Sequence, residues 1–377
     1  MKIAINTRFL IKDRLEGIGW FTFEVVKRLV EQHPEDEFVF FFDRPFSDEF
    51  VFGKNVKTEI LFPPARHPIL WYWWFEWSLP RLLKKHKPDV FLSPDNYLSL
   101  KTDVKTVLVM HDIAHVHYPE EVPFLARKYY NFFIPKFLKK AEKIITVSNH
   151  AKEDICKSYH IQVSKISVAC NGCKDYFNPI STEEKQRVKE QFAEGEDYFF
   201  YIGAIHPRKN IHRLILAFDL FKKKTDSPIK LLLGGRFAFQ TGVIKNTYEQ
   251  AAFKKDIVLL GYLKNEDLPK LIGAAFALTY VSLFEGFGVP LLEAMHTETP
   301  VITSNVSSMP EVAGNAGLLV DPKNIESIAD ALERIYKDEE LRKVLVENGN
   351  FQKEKFNWQI AADVVYDALK NTASSGT

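Results

Sequence analysis

The stretch Glu285-Gly-Phe-Gly-Val-Pro-Leu-Leu-Glu293 decides how the second half of the chain folds. The apolar run 274–281 precedes it and is short enough to be a buried strand. Gly286 and Gly288 permit a tight turn and a close approach of a ligand to the backbone. Pro290 fits the first position of a helix. The stretch therefore predicts a strand, a turn and a helix start. The N–H groups there would form an anion site, namely those of Gly288, Val289, Leu291 and Leu292.

Two carboxylates, those of Glu285 and Glu293, frame this anion site. A carboxylate beside a phosphate is unfavourable unless it has another task, such as accepting hydrogen bonds from sugar hydroxyls. The residue pattern alone leaves two interpretations equally open. One is this binding role, and the other is helix capping with a solvated charge.

Short apolar runs alternate with helical patterns along the whole chain. The runs are 1–6, 38–42, 89–92, 106–110 and 144–147, and then 198–202, 230–233, 257–260, 275–280 and 301–303. Strand–helix alternation predicts parallel sheets covered by helices, which is an α/β fold. Because the chain has 377 residues and the two series join near Asn178-Pro179, we expect two doubly wound domains.

The composition narrows the class of protein. A net charge of +1 argues against a protein that mainly binds nucleic acid, so we expect no nucleic-acid partner. The N-terminus reads directly as a strand rather than a signal peptide, and no apolar run reaches membrane-spanning length. The chain has only three cysteines, which suits a reducing compartment. We therefore expect a cytoplasmic protein.

The paired glutamates with Gly-Phe-Gly between them resemble the signature of family 4 glycosyltransferases. Three further segments are similar to the same family, namely Tyr201-Ile-Gly-Ala-Ile-His-Pro-Arg-Lys-Asn210, Thr299-Pro-Val-Ile-Thr-Ser-Asn305 and Ser308-Met-Pro-Glu-Val-Ala-Gly314. The resemblance is strong over about residues 198–322 and weaker from residue 1. It implies the GT-B fold, with two Rossmann-like domains and an interdomain cleft. It also implies a retaining, metal-independent enzyme that uses a nucleotide-sugar donor.

The same resemblance assigns the two domains. Residues 1–176 are expected to form the acceptor-side domain, and residues 177–356 the donor-binding domain. The last helix, at about 357–371, is expected to return to the first domain. The tail Thr372–Thr377 is expected to be disordered.

The segment Pro207-Arg-Lys-Asn210 begins a helix after the strand 198–202. Two cations at a helix start oppose the helix dipole, so they imply an anionic ligand, and a diphosphate fits. Arg208 offers a fork for phosphate oxygens and Lys209 a point charge. Many relatives carry another arginine where Ala204 stands, and Arg208 would take over its role. Since no Asp-x-Asp segment ends a strand, we predict that no metal is required.

The segment His111-Asp-Ile-Ala-His-Val-His117 follows the strand 106–110. Three histidines within seven residues suggest a metal, but no fourth ligand is evident. Asp112 could equally cap the turn. The resemblance instead places His111 beside the transferred sugar, with a packed core histidine as the alternative.

The resemblance also supplies the donor contacts. It places the loop Gly17-Ile-Gly19, between the first strand and the following helix, near the diphosphate, and Gly261-Tyr-Leu263 against the nucleobase. The predicted catalytic residues are Glu285, His111, Lys209 and Arg208. The predicted donor-binding residues are Gly17, Gly19, Gly203, Arg208, Lys209, Gly235, Tyr262, Leu263, Glu285, Gly286, Phe287, Gly288, Val289 and Glu293.

These features predict an enzyme that transfers a hexose from a nucleotide-diphosphate sugar to a glycan or lipid-linked glycan, as in cell-surface polysaccharide synthesis. The Pro-Arg-Lys-Asn and His-Asp segments resemble mannosyltransferase branches, which favours GDP-mannose over a UDP-hexose, with no further cofactor. A non-catalytic nucleotide-sugar-binding scaffold and a GT-B epimerase are the alternatives. The cluster Trp71-Tyr-Trp-Trp-Phe-Glu-Trp77 is interpreted as a packed helix, with contact at the inner membrane surface as the other interpretation.

Overall fold

The computed structural model describes residues 1–238 and 241–375. It divides the chain into two compact units. The first contains residues 1–171 and those from Asn357 onward, and the second is Gly172–Phe356. Sequence analysis drew the division at 176/177, whereas the contacts assign the turn at 172–176 to the second unit.

The first unit is built on a seven-stranded parallel sheet. Its strands are β1 (Lys2–Asn6), β2 (Glu37–Phe42), β3 (Val56–Ile60), β4 (Val90–Ser93), β5 (Thr106–Val109), β6 (Lys143–Thr146) and β7 (Ile166–Val168), in the order β3-β2-β1-β4-β5-β6-β7. The helices between them are α1 (Gly17–Gln32), α2 (Pro68–Trp73), α3 (Leu79–His86), α4 (Ala114–His117), α5 (Phe124–Lys140) and α6 (Asn149–Tyr159). The central strands are mostly apolar and almost fully buried, because helices cover both faces of a parallel sheet.

The second unit is built on a six-stranded parallel sheet. Its strands are β8 (Tyr198–Ile202), β9 (Lys230–Gly234), β10 (Ile257–Gly261), β11 (Ala277–Tyr280), β12 (Val301–Ser304) and β13 (Gly317–Val320), in the order β10-β9-β8-β11-β12-β13. Its helices are α7 (Thr182–Ala193), α8 (Ile211–Thr225), α9 (Gly242–Gln250), α10 (Leu268–Gly273), α11 (Val289–His296), α12 (Met309–Ala313), α13 (Ile325–Lys337) and α14 (Glu339–Gln352). The predicted α/β fold is confirmed in both units.

The last helix, α15 (Trp358–Ser374), packs on the first unit. The Trp358 ring meets the ring of Phe21 edge to face, with centroids 6.2 Å apart. The Tyr366 ring stacks on His33, and its hydroxyl donates to Asp36 Oδ2 over 2.9 Å. The expectation of a disordered tail is wrong for residues 372–374, which continue this helix and bury Thr372. Residues 376 and 377 lie outside the described part of the chain.

No helix within residues 1–238 and 241–375 combines the length and the apolar character that crossing a bilayer requires.

Candidate active site

The strand order of the second unit creates a crevice at the carboxyl ends of β8 and β11. These two strands are neighbours, and the chain leaves them toward opposite edges of the sheet. Ligands of open parallel sheets bind at such a switch point. The loop after β8 carries Arg208 and Lys209, and the loop after β11 carries Glu285. The sheet therefore brings together two motifs that lie more than seventy residues apart in the chain.

Main-chain and side-chain hydrogen bonds join these two loops. Leu283 N–H donates to the Arg208 carbonyl over 2.8 Å, and Arg208 Nη1 donates to the Phe284 carbonyl over 2.7 Å. The buried side chain of Asn210 donates to the Val281 carbonyl over 3.0 Å. Arg208 is thereby held next to the loop that follows β11.

Glu285 is buried within a polar cluster. Lys209 Nζ donates to its Oε1 and also to the Tyr280 hydroxyl, which lies 2.9 Å away. The Tyr280 hydroxyl in turn donates to Glu285 Oε1 over 3.0 Å. Burial raises the pKa of the carboxyl, but Lys209 and Arg208 overcome that effect and lower it to about 2. Glu285 is therefore ionised at neutral pH.

Two serines hold the backbone of Glu285. Ser307 Oγ accepts from Glu285 N–H over 3.1 Å and donates to its carbonyl over 2.7 Å. Ser308 Oγ lies 3.0 Å from the same carbonyl and 2.8 Å from that of Phe287. In the sequence, the segment that begins at Ser308 showed only a family resemblance and no side-chain role. The side-chain contacts depend on β12 lying beside β11, which no local pattern reveals.

The helix that carries the predicted anion site begins one residue earlier than expected. Val289 is the first residue of α11, and Pro290 is the second. Gly288 precedes the helix with a φ of +108°, and a Cβ there would lie 2.5 Å from Met309 Cε. The positive φ favours glycine here, and a Cβ would also have to displace the end of the Met309 side chain. The expectation that the Leu291 N–H is free is wrong, because it donates to the Gly288 carbonyl over 3.0 Å.

Glu293 is buried one turn into α11 and faces a cation that sequence analysis missed. Lys174 Nζ lies 3.6 Å from Glu293 Oε1, and both side chains are more than nine-tenths buried. Burial raises the pKa of the Glu293 carboxyl, and the Lys174 charge opposes that rise. Lys174 lies in the turn at 172–176, so its proximity to α11 could not be read from sequence spacing.

The glycine loops after β8, β9 and β10 stand side by side. Gly203 N–H donates to the Gly234 carbonyl over 3.0 Å, and Gly235 N–H donates to the Gly261 carbonyl over 2.7 Å. A Cβ on Gly235 would lie 1.8 Å from the Gly203 carbonyl oxygen, so no larger residue fits. Tyr262, which follows Gly261, is 69% exposed. A flat ring thus stands open to solvent beside these loops, and Leu263 packs against Gly234.

His111 follows β5 in the first unit. Its Nε2 donates to the Pro94 carbonyl over 2.9 Å, and its ring meets Phe21 edge to face at 5.0 Å. Burial lowers the pKa of His111, so the ring is neutral and Nδ1 is the acceptor nitrogen. Asp112 Oδ1 accepts from Ala114 N–H over 3.0 Å, which is the turn-capping role left open by the sequence.

The other two histidines of this segment bond elsewhere. His115 Nε2 lies 2.9 Å from the Tyr159 hydroxyl, and His117 Nε2 lies 2.8 Å from Asp154 Oδ2. The three imidazoles thus have three different partners.

The glycines near the N-terminus belong to a helix rather than to a preceding loop. Gly17 and Gly19 lie in the first turn of α1, whereas sequence analysis expected the helix to begin after them. A Cβ on Gly19 would lie 2.9 Å from the Phe9 carbonyl oxygen, while one on Gly17 would meet open space. Close packing thus explains Gly19, and nothing in the structure explains Gly17.

The fold and the loops at the β8–β11 switch point of the second unit define a nucleotide-binding protein with two Rossmann-like units. Comparison with known proteins identifies the family within this class. Residues 182–351 match the family described as glycosyl transferases group 1, and residues 15–175 match glycosyltransferase family 4. The chain is 30% identical to O-antigen chain mannosyltransferase B of Escherichia coli, over 98% of this chain and 100% of that protein.

Solved structures show the same fold. Sucrose-phosphate synthase from Thermosynechococcus elongatus superposes with a TM-score of 0.80 at 18% identity, covering 98% of each chain. Anabaena HepE in complex with UDP and glucose superposes with a TM-score of 0.75 at 16% identity, covering 98% of this chain and 99% of that one. The chain belongs to the group 1 glycosyltransferases. It has the GT-B fold and is a nucleotide-sugar-dependent hexosyltransferase.

Proposed function

We propose that this enzyme transfers mannose from GDP-mannose to a glycan or lipid-linked glycan during the synthesis of a cell-surface polysaccharide. The transfer would retain the anomeric configuration and need no metal. Support comes from the relative named O-antigen chain mannosyltransferase B, which matches almost the whole chain. The reaction would take place on the cytoplasmic side of the membrane, with the protein in peripheral contact with its inner surface.

The observation that carries the proposal is the cluster of Lys209, Arg208 and Glu285 at the β8–β11 switch point of the second unit. As the glycosidic bond of the donor breaks, negative charge grows on the β-phosphate. Arg208 is already oriented by its hydrogen bond to the Phe284 carbonyl, and Lys209 by those to Tyr280 and Glu285. Donors that are positioned before the reaction stabilise such charge without reorganisation. The start of α11 adds N–H groups and the positive end of a helix dipole.

Glu285 has a different role from a proton donor. Because its pKa is about 2, its carboxylate cannot deliver a proton at neutral pH, but it can accept hydrogen bonds from sugar hydroxyls. It also balances the charges of Lys209 and Arg208 while no donor is bound. His111, with a neutral ring and Nδ1 as acceptor, is proposed to bind a sugar hydroxyl.

Glu293 is proposed to bind the ribose of the donor. Its position one turn into α11 places it next to the proposed diphosphate site, where two ribose hydroxyls could donate to its carboxylate. The Lys174 charge opposes the rise in the pKa of Glu293 that burial causes, and so favours the ionised carboxylate. The remaining predicted donor contacts, from the glycine loops and Tyr262, are proposed to enclose the nucleotide.

Binding and turnover test this function separately. GDP should raise the melting temperature more than UDP or ADP, because a ligand that binds only the folded state stabilises it. GDP-mannose should then support transfer to an acceptor extract, and NMR of the fresh product should show the anomeric configuration of the donor. If UDP raises the melting temperature more than GDP does, and a UDP-hexose supports turnover, then the donor is a UDP-hexose instead of GDP-mannose. An inverted product would refute retention. Binding without turnover would favour the scaffold, and interconversion of free nucleotide sugars would favour the epimerase.

A further inference from the structure

Two helical segments of the first unit pack together through aromatic rings. The Trp71 ring, in α2, stacks parallel to Tyr130 of α5 at 5.9 Å and meets Tyr129 edge to face at 5.5 Å. Tyr72 contacts Phe133 at 5.9 Å. The cluster at 71–77 is therefore only partly core: Trp74 and Phe75 are fully buried, whereas other members face solvent.

The solvent-facing residues of these two segments form what we call the aromatic–basic face. It comprises Ile69, Trp73 and Trp77 on the first segment, Phe124, Leu125 and Phe132 on α5, and the cations Lys101, Lys128, Lys136 and Lys139. Trp73 is 53% exposed, Ile69 66%, and Phe132 57%. Single exposed apolar residues are ordinary, but contiguous ones of this size mark a surface that contacts something.

The spacing in the chain places these residues on common stripes. Leu125, Lys128, Phe132 and Lys136 follow one another at intervals of three and four residues, which is one face of α5. Ile69, Trp73 and Trp77 are four residues apart, and the rings of Trp73 and Trp77 stack at 5.8 Å. The packing of Trp71 and Tyr72 on α5 joins the two segments that carry these stripes.

Cations stand over the exposed rings. Lys101 Nζ lies 4.2 Å from the Trp77 ring centroid, and Lys128 Nζ lies 4.9 Å from that of Phe124. Lys136 Nζ lies 3.2 Å from that of Phe132. An ammonium group over a ring leaves both the charge and the apolar edge available to one partner.

The exposed charges on α5 and on the segment 68–86 are all basic. The α5 sequence, FLARKYYNFFIPKFLKK, contains five basic residues and no acidic residue. The segment 68–86 contains one acidic residue, Glu76, which is buried and accepts from Leu100 N–H over 2.9 Å. The chain as a whole has a net charge of only +1, so the positive charge here is local. A complementary partner must be anionic and must also accept aromatic side chains.

We propose that the aromatic–basic face docks on the surface of an anionic phospholipid bilayer. Tryptophan rings prefer the level of the lipid headgroups, and lysines bind the negative surface potential. Both are present here on a rigid pair of helical segments. This inference rests on the proposed function, because a lipid-linked acceptor would be presented at a membrane surface. The residues of the aromatic–basic face are those that would contact that surface.

Sedimentation with vesicles tests the proposal on the full chain. The protein should bind vesicles of phosphatidylglycerol mixed with phosphatidylcholine, bind pure phosphatidylcholine far less, and dissociate at high salt. Lys128→Glu/Lys136→Glu/Lys139→Glu should weaken binding at least a hundredfold, since each nearby cation contributes about fivefold. Trp73→Ser/Trp77→Ser should weaken binding while keeping its preference for anionic vesicles. The wild-type tryptophan emission should shift to shorter wavelength on binding, and the shift should shrink in this variant.

A matched control separates the face from net charge. Lys223→Glu/Lys255→Glu/Lys323→Glu makes the same charge change on exposed positions of the second unit and should leave vesicle binding within about twofold, because distant charges are screened. Equal losses in both triple variants would overturn the proposal. So would a wild type that ignores anionic vesicles, or one that self-associates through this face, as seen by a mass change that Trp73→Ser/Trp77→Ser abolishes. The melting shift with GDP, measured on the same variants, reports the proposed function independently.

Discussion

The Tyr280 hydroxyl lies 3.0 Å from Glu285 Oε1, and Lys209 Nζ bonds to both groups. Tyr280 ends β11, and Lys209 follows the neighbouring strand β8. The Tyr280 ring also stacks parallel to Tyr201, with centroids 5.9 Å apart. The buried Tyr280 thus orients both the Glu285 carboxylate and the Lys209 ammonium group at the centre of the proposed donor site. The stacked ring of Tyr201 holds Tyr280 in position.

Removal of this hydroxyl should impair catalysis more than donor binding. In Tyr280→Phe, Glu285 and Lys209 lose a shared partner, and hydrogen bonds to charged groups contribute about 1.5–3 kcal/mol. We expect kcat to fall roughly ten- to a hundredfold, while donor KM changes less than threefold. Tyr201→Phe is the matched control, because it removes the neighbouring hydroxyl but touches neither charged group. Similar losses in both variants would indicate a packing effect instead.

Loss of the Lys209 charge should slow the chemical step. One preorganised donor to developing charge is worth about 3–4 kcal/mol, or roughly a hundred- to thousandfold in rate. Lys209→Ala should therefore reduce kcat by about that factor, which exceeds its effect on donor KM. Lys223→Ala, on an exposed position of α8, is the control and should keep wild-type kcat. EDTA should leave the wild type active. If chelation abolishes turnover and manganese restores it, a metal ion rather than Lys209 and Arg208 stabilises the charge on the departing diphosphate.

The Lys174–Glu293 pair should control donor affinity and its pH dependence. Glu293→Gln should raise donor KM strongly and leave the protein folded. In Lys174→Gln the opposing charge is gone, so burial raises the pKa of Glu293 further. A larger fraction of Glu293 is then protonated as the pH falls from 8 to 6, and donor KM should rise in that direction more steeply than in the wild type. Lys174→Arg should restore the flatter profile. Identical pH profiles for the wild type and Lys174→Gln would refute this role.

His115 should make the free energy of unfolding depend on pH. Burial lowers its pKa from 6.5 to about 4. Below pH 6.5 the unfolded chain takes up a proton that the folded chain does not, so stability is full above pH 6.5 and falls as the pH drops toward 4. The contribution is at most about 3 kcal/mol. Urea unfolding of His115→Gln, which can keep the bond to Tyr159, should show a smaller loss between pH 7.5 and pH 5. An unchanged loss would mean that other groups cause it.

Most of the architecture could be read from the sequence because buried parallel strands leave a strong signal. The run Phe38–Phe42 and its counterparts are apolar on both faces, so eleven of the thirteen strands in the described residues were expected in about the right place, including β7 from the run 165–169. The two that were missed, β3 and β13, are edge strands. Edge strands are buried on fewer sides, and Val56-Lys-Thr-Glu-Ile60 carries polar side chains that hide the pattern.

The sequence by itself determined the class of fold, the glycine turns after β8, β9, β10 and β11 and the motifs that end the strands, because each depends on local spacing and backbone conformation. It also contained the family resemblance, which depends on the motifs that include Glu285 and Lys209. Only the tertiary structure decided which side chains meet. The contact of Lys209 with Glu285 joins the loops after two strands that are neighbours in the sheet, and the pair of Lys174 and Glu293 joins a turn to α11. The exposure of Trp73 beside the burial of Trp74 was likewise decided by packing, since both share one aromatic run but only Trp74 enters the hydrophobic core.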